Sequence, residues 1–270
     1  MDRNLGALDD RYHPAADIKA KYYQFGRKDP FNSDIYCWTY DIQTFAPSKT
    51  MGANGAREIK AKVDFEKEFK TDGHNVPVSI NHPTTFITSG GEWSSVTDIF
   101  GGIKLEDNKT IKYWNDPSPY IREDNEEISF ANENKSYFDP CPPGWRLPIN
   151  GCFRGFIGDG NGSATGDANM NCQFGVDSEF KGRGEGRTYI PLGYLSQKDN
   201  PKAQTAFFPA SGCCYQTTGG HYYVGSNGYC YSCSPNTGAR AYFFYFRPSD
   251  LTPQSELNRT MGLPVRCLRE

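Results

Sequence analysis

Ala241 to Arg247 reads AYFFYFR. Successive side chains of a strand point to opposite faces. As a strand, the stretch puts Tyr242, Phe244 and Phe246 on one face and Ala241, Phe243, Tyr245 and Arg247 on the other. A sheet with one wet side shows polar residues there, yet here both faces are aromatic. Two readings stay open: a strand buried on both sides, or one that offers rings to a partner. The preceding stretch, Tyr222 to Pro235 (YYVGSNGYCYSCSP), tips the balance toward the second. Glycine, serine and asparagine around Tyr222, Tyr223, Tyr229 and Tyr231 are turn residues that offer little with which to bury a ring. Tyrosine and arginine on such loops supply large contact area with few rotors, as evolved binding surfaces do.

The bulk properties bound the function classes. At 270 residues the chain is long enough for one large domain or two small ones. A net charge of −3 and the lack of a basic run argue against a phosphate-driven nucleic-acid binder. No apolar run approaches the roughly 18 residues of a membrane span, so no direct membrane span is expected. The start, MDRNLGALDD, is polar and does not read as a signal peptide. Nine cysteines, an odd number, suit an oxidising compartment with at least one thiol left over. With 28 glycines and 18 prolines, short strands and long ordered loops are expected to dominate. Pro14 to Tyr23 reads as a short helix and Ile59 to Phe69 as a strand. Further short apolar runs (TTFITSGG, GLPVRCL) sit between turn signals, while 155–175 and 116–134 read as loops. The expectation is a single loop-dominated α+β domain over residues 1–270.

Tyr137 to Pro148, YFDPCPPGWRLP, resembles the DPCPxGWRxP signature of the Fibrobacter succinogenes major paralogous domain and of Bacteroidetes fimbrillin-like surface proteins. Other stretches are similar in the same order: MDRNLGA, YYQFGRKDPF, SINHPTTFITSGGEW, YWNDPSP, FFPASG, VGSNGYCYSCS and GLPVRCLRE. The similarity runs from end to end. It implies a C-type-lectin-like fold: short twisted antiparallel sheets, a few short helices, long loops, and N- and C-terminal strands close together. A chain that starts directly on MDRNLGA is expected to lack an upstream leader, anchor or adhesin module. Cys141 and Cys267 sit in the two most family-like motifs, and the expectation is a disulfide between them; two buried thiols are the alternative.

Other chemistries are weaker. Cys213, Cys214, Cys230 and Cys233 could form a four-thiolate zinc cage, but adjacent cysteines are not the usual spacing; a bridge among them or free thiols is preferred. Asp159, Asn161 and Ser163 alternate as calcium ligands do, without the closing glutamate of an EF-hand-like loop, and they are equally turn residues. No cofactor is therefore expected, with calcium the alternative. Trp114-Asn115-Asp116 matches the calcium-lectin triplet but lies far upstream of its place. His13, His74, His82 and His221 stand in no catalytic motif. Formylglycine-generating enzymes share the implied fold and use a reactive cysteine pair, but the context of that site is not found here, so no enzyme is expected.

Against the family-like GSNGYYWSSS, the chain reads GSNGYCYSCS, with residues such as Gly225, Ser226, Asn227 and Gly228 kept and others eccentric. This pattern resembles the variable proteins of diversity-generating retroelements, in which adenine-directed mutagenesis turns AAY codons into any NNY codon. The resemblance implies a variable, ligand-binding part at about 207–270. The recognition residues expected are Tyr215, His221, Tyr222, Tyr223, Tyr229, Tyr231, Arg240, Phe243, Tyr245, Arg247 and Asp250, of which Tyr222, Tyr223, Tyr229, Phe243, Tyr245 and Arg247 are expected to form one contiguous exposed patch. The partner would be a surface protein or glycan, met at the cell surface or outside the cell, with phage-borne display as an alternative. The rival reading is a structural or pilus-associated protein whose aromatic cluster is core.

Overall fold

The computed structural model describes Leu5, Trp114 and residues 21–30, 38–41, 46–49, 51–52, 55–56, 85–88, 103–104, 110–111, 138–157, 164–165, 171–176, 185–189, 206–216, 221–223, 226–236 and 240–270. Its largest element is an antiparallel meander of three strands, Gly228–Pro235, Arg240–Phe246 and Asp250–Asn258, edged by Ala164–Thr165. A second four-stranded sheet runs in the order Tyr22–Gln24, Gly262–Pro264, Cys213–Cys214, His221–Tyr222. A three-stranded sheet orders Cys172–Val176, Glu185–Tyr189 and Ala206–Pro209. Another sheet orders Ala46–Lys49, Trp38–Asp41 and Thr85–Thr88, the last two strands parallel.

The α+β, C-type-lectin-like architecture with short helices is overturned. Among the described residues the helical content is one 3-10 turn, Arg154–Phe156, and the rest of the regular structure is strand. Tyr22 and Tyr23, read as the end of a helix, pair with Pro264 and Leu263 instead. The reason is burial: both tyrosines are almost fully enclosed, and a strand hands alternate rings to two different clusters. The remainder of that helix reading, and the Ile59 to Phe69 strand, lie outside the described residues. Within the 155–175 stretch read as loop, Ala164–Thr165 and the start of Cys172–Val176 are strand.

The aromatic strand Arg240–Phe246 is covered on both faces. Ala241 and Phe243 join Tyr229, Tyr231, Cys233, Met261 and Leu263 in one cluster, whereas Phe244 and Phe246 join Phe153, Phe156, Phe208 and Leu251 in another. Phe244 stacks on Phe153 at 4.8 Å and meets Phe156 at 4.7 Å and Phe208 at 5.8 Å. Gly228 is required opposite Phe246: a Cβ there would fall 1.9 Å from the ring. Pro253, which has no N–H to give a ladder, sits where the register slips between Phe243 and Tyr245, a bulge that accommodates it.

Cys141 and Cys267 form a disulfide across a sequence separation of 126. Beside it, Trp145–Arg146 pairs with Leu268–Arg269. The Asp139 carboxylate accepts from the backbone N–H of Cys141 (2.7 Å) and Leu147 (3.1 Å), folding the DPCPPGWRLP turn on itself. The meander's other irregularity, between Tyr231 and Pro235, frees groups that hold this segment. The Cys233 N–H donates to the Pro148 carbonyl (2.7 Å), and the Asn150 N–H donates to Ser234 Oγ (2.9 Å).

Candidate recognition site

Three large hydrophobic side chains near the meander stand open to solvent: Tyr215 (39%), Tyr222 (42%) and Tyr223 (53%). Their exposure follows from topology. Among the described residues, the His221–Tyr222 strand is the edge of its sheet, with no further strand paired beyond it. Tyr222 pairs with Cys213 at this edge. The rings form a chain, Tyr215 to Tyr222 at 5.2 Å and Tyr222 to Tyr223 at 6.2 Å, tilted by 55° and 49°.

A hydrogen-bonded turn holds the last of these rings. The Tyr223 carbonyl accepts from the N–H groups of Ser226 (3.1 Å) and Asn227 (2.9 Å) and from Ser226 Oγ (3.1 Å). Asn227 then carries the link into the meander, its Nδ2 donating to the hydroxyls of Tyr229 (3.3 Å) and Tyr245 (3.2 Å). Burial raises the pKa of both hydroxyls; the asparagine bond opposes the rise at Tyr229, and the Arg247 charge opposes it at Tyr245. Half-buried Tyr245 leads on to the exposed pair of Arg247 Nε and Asp250 Oδ2, 2.5 Å apart. That turn is anchored from beneath. The fully buried Arg187 donates through Nη2 to the carbonyls of Arg247 (2.8 Å) and Pro248 (3.2 Å).

Of the recognition residues expected, Tyr215, Tyr222, Tyr223, Tyr245, Arg247 and Asp250 lie along this band, four of them (Tyr222, Tyr223, Tyr245 and Arg247) from the set expected in one exposed patch. Tyr229 (8%), Tyr231 (0%) and Phe243 (3%) are buried and leave the exposed set. The turn-rich context misled because the covering groups come from far away in the chain. Tyr231 packs against Phe25 (5.7 Å) and Trp114 (5.5 Å) and donates its hydroxyl to the Met261 carbonyl (3.0 Å). Trp114, noted for its triplet, is thus a core residue, and Asn115 and Asp116 lie outside the described residues. Arg240 is exposed but stands at the opposite end of its strand from Arg247, roughly 20 Å away by strand rise, paired with Glu256 at 3.2 Å. His221 contributes backbone to the edge strand; its side chain lies outside the described residues. Sequence reasoning missed Arg187 and the bridging role of Asn227. Nothing in the stretch GEGRTY marks its arginine as buried, whereas asparagine in SNG was recognisable as a turn residue.

The four cysteines of the zinc reading are dispersed. Cys213 and Cys233 belong to one cluster, Cys230 to the cluster across the sheet, and Cys214 to a third with Tyr22 and Phe86. None of the four is in a disulfide. Among the described residues no group of three or more His, Cys, Asp and Glu is placed to hold a metal. Asp159, Asn161 and Ser163, the calcium alternative, and His13, His74 and His82 lie outside the described residues. No helix among the described residues is long and apolar enough to cross a membrane. Comparison with protein-family models, with curated proteins and with solved structures finds no match to this chain.

Proposed function

We propose that the chain is a surface-displayed ligand-binding protein whose C-terminal region carries a diversified recognition face. The face is smaller than the sequence alone implied, consisting of Tyr215, Tyr222, Tyr223, Tyr245, Arg247 and Asp250. One observation carries this reading: three tyrosines linked ring to ring through Tyr222 stay exposed, although a large aromatic core lies beside them. An exposed aromatic cluster with a charged rim is the composition of interface hot spots. Tyr, Arg (as CGY) and Asp all belong to the NNY set that diversification would reach, and Gly228 beneath Phe246 and Asn227 at its bridge, although in the same set, are neighbours that the fold requires.

Catalysis by a thiolate fits less well. Burial pushes the Cys213 and Cys230 thiols up to about 12, which keeps them protonated and poorly nucleophilic at neutral pH. The burial of Tyr229, Tyr231 and Phe243 favours the structural reading for those rings alone. Sequencing the gene and its adjoining DNA across many cells of one population tests the proposal. The expected result is a near-identical repeat beside a reverse transcriptase gene, with substitutions concentrated at positions 215, 222, 223, 245, 247 and 250. Substitutions spread evenly over core and surface codons, with no repeat, would refute it.

A further inference from the structure

We infer that Arg187 is the positioning residue of the recognition face: its grip on main-chain carbonyls sets the shape of the turn from Arg247 to Asp250, so that the side chains on that turn can change without changing it. The inference rests on the proposed face and adds Ser249 to it. Residues 247–249 are exposed and Asp250 is half-buried, so the tip presents its side chains outward. Beneath it, the carbonyls of Arg247 and Pro248 both accept from Nη2 of Arg187, at 2.8 and 3.2 Å. Every residue carries a main-chain carbonyl, so this grip does not depend on which side chain stands above it.

Arg187 is itself fixed. It lies in the central strand of its sheet, paired with Phe174 on one side and Phe208 on the other, and it is fully buried. Its Nη1 donates to Cys172 Sγ at 3.5 Å, which orients the plane of the guanidinium. Arginine stays charged and offers several donors in one rigid plane, which lysine does not. The rival hold comes from the tip's own side chains. Asp250 Oδ2 accepts from Arg247 Nε (2.5 Å) and from Ser249 Oγ (3.2 Å). Both bonds are exposed, where ion pairs contribute little. Bonds from a buried, charged donor contribute more. Arg187 is the stronger hold.

Hydrogen exchange of the full chain, read on peptides covering the 247–250 tip and the Gly228–Pro235 strand, tests this. Arg247→Ser, Ser249→Tyr and Asp250→Ser combined should leave amide protection in the tip within about twofold of the parent. Arg187→Lys should lower it there by at least about tenfold and leave the strand unchanged. Protection lost tenfold in the triple variant would show that the side chains set the turn, and equal loosening of tip and strand in Arg187→Lys would make the arginine a general core residue. Either result overturns the inference. Should Arg187→Lys not fold, the triple variant decides together with Cys172→Ala, which removes the acceptor of Nη1. Cys172→Ala should loosen the tip alone, and an unchanged tip overturns the inference as well. The proposed face fails separately: a population without variation at 247 and 250 refutes diversification and leaves the grip of Arg187 on the turn standing.

Discussion

Two sets of tyrosine and phenylalanine lie within a few residues of one another and meet opposite fates. Tyr229, Tyr231, Phe243, Phe244 and Phe246 are buried in the meander, whereas Tyr215, Tyr222 and Tyr223 stand in solvent along the edge of the neighbouring sheet. Residue type and turn-rich surroundings are the same in both. The difference is coverage. The meander receives Phe153, Phe156 and Phe208 on one face and Phe25, Trp114 and Met261 on the other, while among the described residues the edge strand has no neighbour beyond it. Aromatic density by itself therefore does not decide which rings are exposed; the coverage each strand receives does.

The comparison can be broken first at the frame that both regions share. Replacing Cys141 and Cys267 by serine opens a loop of 126 residues and should cost about 4–5 kcal/mol by chain entropy, read as a lower denaturation midpoint under non-reducing conditions. Unchanged stability would show that the disulfide does not constrain the unfolded chain. Next, Phe244→Ala removes a ring that is 0% exposed among four phenylalanines and should cost about 3–5 kcal/mol. A loss under about 1 kcal/mol, the range of surface changes, would erase the distinction between the two regions.

The buried side also titrates. Burial raises the Cys213 and Cys230 thiols to about 12 in the folded chain. A group raised in this way contributes its full stability below the unfolded pKa of about 8.5 and loses it as pH climbs toward the folded value. Stability should hold level to about pH 8 and fall by on the order of 1–2 kcal/mol per thiol by pH 10. Denaturant titrations of the Cys213→Ala and Cys230→Ala variants should show a shallower alkaline decline; an identical slope would exclude these thiols as its source. The smallest effect belongs to the exposed side. Tyr215→Ser with Tyr222→Ser should change stability by no more than about 0.5 kcal/mol per site, and a loss comparable to that of Phe244→Ala would place these rings in the core.

Much of the local structure was legible. The alternation in AYFFYFR predicts a strand with rings on both faces, and Arg240–Phe246 is one. The strands near the two ends do lie together, through Tyr22–Gln24 and Gly262–Pro264. The Cys141–Cys267 pairing expected from the motifs forms. Less legible was the end of the helix reading, at Tyr22 and Tyr23, because helix propensity carries little weight against the burial these two rings gain in a sheet. In the site, the serines after Tyr231 coincide with the irregular pairing between Tyr231 and Pro235, while Tyr229 and Tyr231 themselves pair regularly in the strand. Turn residues say nothing about what packs on top of the backbone.

From its amino acids alone this protein shows the alternating aromatic strand at 241–247, the turn residues that precede it, and that it is rich in rings that must either be covered or left in solvent. Those are local properties, set by side-chain alternation and backbone freedom within a few residues. Which rings are covered was decided only by the tertiary structure. Burial of Tyr231 depends on Phe25 and Trp114, and burial of Phe244 on Phe153 and Phe208, partners distant in the chain. The exposure of Tyr222 likewise follows from the sheet order, because a strand becomes an edge through what does not pair with it, a property of the assembled sheet that no local pattern encodes.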